Sequence, residues 1–178
     1  VHVSSITDMD KILAATEGIH TVVHMAGDPN GSSSFEDILE ANIRGVYTVY
    51  EASKQNGVHR VIFASTNHVT GFYEKEGTYT TPDMPIRPDS MYGVSKAFGE
   101  AQGRFYHDAY GISVYCVRIA NFPNTDEVNT KYEPGLNRWL SSRDMAELTA
   151  CCLEAPDPQF GIFYDVSKGA EKKWDLAN

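Results

Sequence analysis

The chain has 178 residues, 42% of them apolar, and carries 24 acidic against 15 basic side chains for a net charge of −9. That is enough for one domain with a sizeable core, and it excludes a wholly disordered chain. A net acidic chain lacks the basic face that neutralises phosphates, so nucleic acid is excluded as a partner, and no run of ~18 apolar residues is present to span a membrane.

In chain order, residues 8–16 read as a short first helix and residues 20–26, His-Thr-Val-Val-His-Met-Ala, as a buried strand. Phe35, Ile38, Leu39, Asn42, Val46, Val49, Tyr50 and Ser53 then recur on one face of a helix that Gly57 would cap. A second strand covers residues 60–65, and a long loop follows over 66–88. Asp89 and Ser90, just after Pro88, are both good caps for a helix running to Tyr110 and Gly111. A strand over 112–118 leads to a second long loop over 120–140. Ser141 and Asp144, three residues apart, look like a variant capping box for a helix that ends before Pro156, and residues 160–166 form the last strand. Strands alternating with helices, the strands nearly continuous in apolar residues, predict an α/β fold: a doubly wound parallel sheet covered on both faces. Ligands of such sheets bind beyond the carboxyl ends of the strands, which is also where both long loops begin.

The cysteines, Cys116, Cys151 and Cys152, are odd in number with two adjacent, which is no disulfide framework and fits a reducing, cytoplasmic setting. No His or Cys cluster has metal-ligand spacing, so no metal is expected. Cys151 and Cys152 are expected in core packing, His24 as a satisfied core histidine, and Glu171-Lys172-Lys173 as a solvated turn.

The chemistry concentrates in Tyr92-Gly-Val-Ser-Lys96, where a phenol and an ammonium stand one turn apart on one helix face. A free phenol is a poor base at neutral pH, and a cation close by favours its anion, as does a place in the first turn of a helix. Tyr92 is therefore read as a general base for an alcohol, acidified by Lys96. The same spacing occurs at Tyr50 with Lys54 and at Tyr164 with Lys168, but the first lies in a buried helical stripe and the second in a strand. Only Tyr92 opens a helix downstream of a strand that ends in hydroxyl residues, Ser65 and Thr66. Asn42, on an otherwise apolar stripe, must be hydrogen-bonded if buried, and is expected to tie the Tyr92 helix in place or to hold a water.

This ordered set resembles the extended short-chain dehydrogenases/reductases of the NAD-dependent epimerase/dehydratase family. Phe63-Ala-Ser-Thr66 before the Tyr-x-x-x-Lys, Val22-Val-His-Met-Ala-Gly27, Asn42-Ile-Arg-Gly45 and Arg118-Ile-Ala-Asn121-Phe-Pro123 follow in the family's order. The resemblance implies a Rossmann-like domain over residues 1–178 that lacks its first β-α-β unit and part of its C-terminal region. It implies catalytic roles for Tyr92, Lys96 and Thr66, and cofactor contacts at Ala26, Gly27, Asn42, Ser65, Tyr92, Lys96 and Ile119. The cofactor implied is NAD, with NADP open, and a homodimer or higher homo-oligomer is implied as well. Phe63-Ala-Ser-Thr-Asn67-His68, Arg87-Pro-Asp-Ser-Met-Tyr92 and Trp139-Leu-Ser141 are similar to bacterial uronate dehydrogenases, which oxidise C1 of a hexuronic acid to a lactone. That likeness implies substrate contacts from Ser32, Thr66, Asn67, His68, Tyr92 and Asn121 to a sugar or sugar acid. The arginine with which that group clamps the sugar carboxylate is not matched: Tyr132-Glu133-Pro134 stand there, with Lys131 and Arg138 nearby but out of register. Alternatives are a nucleotide-sugar epimerase or dehydratase, which needs a larger C-terminal lobe, and a non-catalytic dinucleotide-binding regulator, which has no use for a tuned phenol.

Overall fold

In the computed structural model the described residues are 3–123, 138–156, 159–167 and 173–177. Lys131, Tyr132, Glu133 and Pro134, and Glu171 with Lys172, lie outside them. Four strands, β1 (Thr21–His24), β2 (Arg60–Thr66), β3 (Ser113–Ile119) and β4 (Phe160–Asp165), form one parallel sheet in the order β1-β2-β3-β4. Every residue of β2 is buried. Among the described residues, no helix is long and apolar enough to cross a membrane.

Several helices begin where short polar side chains take up the free N–H groups of a first turn. The Asp8 side chain accepts from Lys11 N at the start of α1 (Met9–Thr16). Ser90 Oγ accepts from Gly93 N at the start of α5 (Met91–Tyr110), which ends at Gly111. Ser141 Oγ accepts from Asp144 N ahead of α6 (Ser142–Glu154). The capping box at Ser141 is only half made, because Asp144 accepts from the Ser167 hydroxyl instead of reaching back to its own cap.

The single helix expected over residues 35–53 is three pieces: α2 (Phe35–Ile38), a π-helical stretch (Leu39–Arg44) and α3 (Gly45–Gln55). The wider turn inserts a residue and shifts the phase of the apolar stripe. Val46, Val49, Tyr50 and Ser53 are buried beyond it, but Phe35 before it is 46% exposed. The stretch expected as a loop over 66–88 begins with a 3-10 turn (Asn67–Thr70) and a short helix, α4 (Gly71–Lys75).

One core lies between the sheet and helices α3 and α5, built from Val46, Tyr50, Tyr106, Val61, Phe63 and Val114. A second lies on the opposite face, where Cys152 and Leu148 of α6 meet Ile62, Tyr115 and Val117. Each large side chain so buried contributes about 1.5–3 kcal/mol. Of the cysteine pair, Cys152 is in this core and Cys151 is exposed. Helix α5 lies hard against β2: a Cβ on Gly99 would sit 2.2 Å from Phe63 Cζ, so a larger residue there would push the helix off the sheet. One turn past Lys96, the Glu100 carboxylate accepts from Ser65 Oγ at 2.6 Å and from Arg118 Nε and Nη2, both at 2.9 Å. Ser65 and Arg118 are direct neighbours in the β2-β3 register, so this buried group pins α5 to the ends of both central strands.

Candidate active site

The carboxyl ends of β1, β2 and β3 open on a cavity of about 740 Å³. Of the residues singled out in the sequence, Gly27, Ser65, Thr66, Asn67, His68, Tyr92, Lys96, Ile119 and Asn121 line it. Ala26, Ser32 and Asn42 do not. The Ser32 hydroxyl donates to Asn30 Oδ1 at 2.8 Å, which is a local turn contact. Asn42 is 1% exposed and fully used: its Nδ2 donates to Asp28 O at 3.0 Å and Ser95 Oγ at 3.2 Å, and its Oδ1 accepts from Asp28 N at 2.7 Å. It therefore clamps the turn after β1 to α5, the first of the two expected roles, and leaves no donor for a ligand.

Thr66 ends β2, and Tyr92 and Lys96 face it from the first two turns of α5. Adjacent strand residues point to opposite faces. The Thr66 hydroxyl accordingly turns to the cavity side, accepting from His68 N at 3.3 Å and bonding toward the Tyr92 phenol. The Ser65 hydroxyl donates to Glu100, while Ser65 also lines the cavity. Lys96 is 5% exposed. It donates to Ala64 O at 2.7 Å and lies 5.1 Å from the Phe63 ring centre and 5.7 Å from that of Tyr92.

The expectation that Lys96 acidifies Tyr92 does not hold in this arrangement. Burial pushes the phenol above its ordinary range; the Thr66 hydrogen bond pulls it down by less, and the Asp28 carboxylate adds to the rise. The ammonium is turned to the Ala64 carbonyl, and burial in turn lowers Lys96 to about 8. Both groups are thus held in their less soluble, neutral direction by the same dry surroundings. His24 is buried behind them, as expected, but its Nε2 has no hydrogen-bond partner among the described residues, and burial, aided by Lys96, lowers it to about 4.

His68 is fixed by a carboxylate: its Nδ1 lies 2.8 Å from Asp89 Oδ1, and Asp89 also pairs with Lys75 at 3.0 Å. Burial raises the Asp89 carboxyl, but the hydrogen bonds from His68 and Lys75 outweigh it and hold it below the usual range. Asp89 thus serves the site, while Ser90 caps the helix. The ring of His68 meets that of Tyr92 edge-on at 5.9 Å. Asn67 Nδ2 donates to Glu74, and the backbone of Asn121 bridges to residues 138–140, bringing Arg138 to the cavity wall. Glu74 and Glu100 were not singled out in the sequence, since their partners lie in other elements. Asp89 stood out only as a possible cap.

A Cβ on Gly27 would sit 2.8 Å from Asn42 Oδ1 and 3.7 Å from Lys96 Nζ. Glycine there lets the turn after β1 close against the Asn42 amide.

The model of the NAD dependent epimerase/dehydratase family matches residues 1–139. The chain is 39% identical to an NAD-dependent glucose-6-phosphate dehydrogenase of Haloferax volcanii, over 99% of this chain and 71% of that protein. It is also 39% identical to a uronate dehydrogenase of Pseudomonas syringae pv. tomato, over 98% of this chain and 62% of that one. Among solved structures, a mutant uronate dehydrogenase from Agrobacterium tumefaciens complexed with NAD superimposes with a TM-score of 0.87 at 34% identity, over 98% of this chain and 63% of that one. The chain spans less than two thirds of the length of the uronate dehydrogenases it matches. With the parallel α/β sheet, the ordered motifs and a family match over most of its length, the chain belongs to the NAD dependent epimerase/dehydratase family.

Proposed function

We propose that the protein containing this chain is an NAD-dependent dehydrogenase that oxidises the anomeric hydroxyl of a sugar acid to a lactone, most like uronate dehydrogenase. The observation that carries the reading is the convergence of Thr66, Tyr92 and Lys96 at the floor of the cavity, supported by the relatives' names. Gly27, Lys96 and Ile119 line the cavity together and would hold the cofactor. Bound NAD would supply the hydride acceptor and, in its oxidised form, a positive charge. Tyr92 Oη would take the hydroxyl proton while the C1 hydrogen leaves with its bonding pair as hydride. Thr66 hydrogen-bonds the reacting oxygen and keeps it within reach of Tyr92. Lys96 holds the cofactor ribose and keeps cationic character under the site. Asn67, His68 and Asn121 meet the remaining sugar hydroxyls, with His68 offering Nε2 because Asp89 occupies Nδ1. Asn42 acts through the scaffold, tying the turn after β1 to α5.

The test follows reduced-nicotinamide absorbance in the full-length protein with galacturonate, glucuronate, glucose 6-phosphate and glucose. Turnover of at least one acidic sugar is expected; turnover of none contradicts the reading.

The protein is also proposed to be a homodimer. Val94, Phe98 and Phe105 leave one apolar stripe of α5 exposed, at 44%, 39% and 55%, with Tyr47 of α3 50% exposed. Sedimentation velocity is expected to give a dimer that Phe98→Glu dissociates; a monomeric parent overturns this.

A further inference from the structure

Two substrate-side groups share one buried carboxylate. Glu74 in α4 has a side chain 1% exposed. It accepts from Asn67 Nδ2 at 2.9 and 3.2 Å, from Arg138 Nη2 at 3.1 Å and from Trp174 Nε1 at 3.3 Å. Glu74 does not line the cavity, but Asn67 and Arg138 do.

A carboxylate only accepts, so the amide beside it must turn its NH2 inward. That leaves Asn67 Oδ1 as an acceptor, met by no donor among the described residues. The guanidinium has five N–H donors, and Glu74 occupies one nitrogen. Arg138 Nε is buried without a partner among the described residues, while the side chain as a whole is 37% exposed. Lys96, the other ammonium or guanidinium of the lining, is 5% exposed and donates to the Ala64 carbonyl.

We infer that Glu74 is a specificity-determining positioning residue: by holding Asn67 and Arg138 it presents an acceptor and a cation to the cavity, and so selects a polyhydroxylated substrate bearing an oxyanion. A sugar hydroxyl donates to Asn67 Oδ1, and a carboxylate or phosphate meets the free edge of Arg138, two N–H groups to two oxygens. A neutral sugar leaves those donors unmatched. The inference rests on the dehydrogenase reading and narrows its substrate.

The experiment compares the full-length parent with Glu74→Gln and Arg138→Ala on galacturonate, glucose 6-phosphate, galactose and glucose. Each variant is expected to raise KM for the anionic sugar about tenfold or more, leaving KM for the neutral partner within about twofold and kcat within about threefold. Affinity for NADH stays unchanged. Whether galacturonate or glucose 6-phosphate shows the loss identifies the anion as carboxylate or phosphate. Equal KM changes for anionic and neutral sugars, or no change for either, overturn the inference. If Glu74→Gln does not fold, Arg138→Ala decides by the same split. If the parent turns over no sugar, the dehydrogenase reading fails on its own, and calorimetry decides here: tighter binding of galacturonate or glucose 6-phosphate than of galactose or glucose, lost in Arg138→Ala, supports the role of Glu74, and no such preference refutes it.

Discussion

Tyr92 and Lys96 show what residue spacing tells and what it hides. The four-residue interval places phenol and ammonium on one face of α5, and both do line the cavity. Spacing says nothing of burial, and burial dominates both groups. It raises the phenol and lowers the ammonium to about 8, so each resists the charge that the chemistry asks of it. Thr66 offsets part of the cost at Tyr92. The rest falls to whatever positive charge sits beside the phenol during turnover. The adjacent hydroxyls of Ser65 and Thr66 were equally suggestive in sequence, and strand alternation separates them, one to the scaffold and one to the site. Glu74 was not legible at all. It reaches Asn67 across a 3-10 turn and a short helix, and Trp174 and Arg138 from distant segments, so no periodic pattern joins them.

At the scale of elements, the caps Ser90 and Ser141 were readable because a cap is a local contact. The π-helical stretch over Leu39–Arg44 was not, since the apolar periodicity runs through it. Its effect is to bring Asn42 over Asp28 and Ser95 while Phe35 turns outward. The Glu100–Arg118 pair is a tertiary device, with both side chains sealed from solvent at 5% and 1% exposure. Removing both charges of a buried pair is often neutral, whereas removing one strands the other. Arg118→Met alone is thus expected to cost about 3–5 kcal/mol by urea denaturation, and the added Glu100→Leu to restore much of it. A single variant no less stable than the double would contradict the pairing. Helix α5 would then be held chiefly by Phe63 packing against Gly99 and by Lys96.

For the molecule as a whole, alternating strands and helices made the parallel sheet and its functional edge legible, because βα alternation leaves few other arrangements. All three strands expected to end at the site do so: His24, Thr66 and Ile119 close β1, β2 and β3 around one opening. Where residues 138–140 return was not legible, because a long connection carries no register, and with it the place of Arg138 stayed open until the chain was folded. The account as a whole stands on Tyr92 as the group that receives the sugar proton. Single-turnover hydride transfer, followed by reduced-nicotinamide absorbance across pH in the parent and in Tyr92→Phe, tests that most directly. The rate in the variant is expected to fall about 10²–10⁴-fold and to lose its rise with pH, with NADH affinity unchanged; a variant within about threefold of the parent, with the same pH dependence, would contradict it.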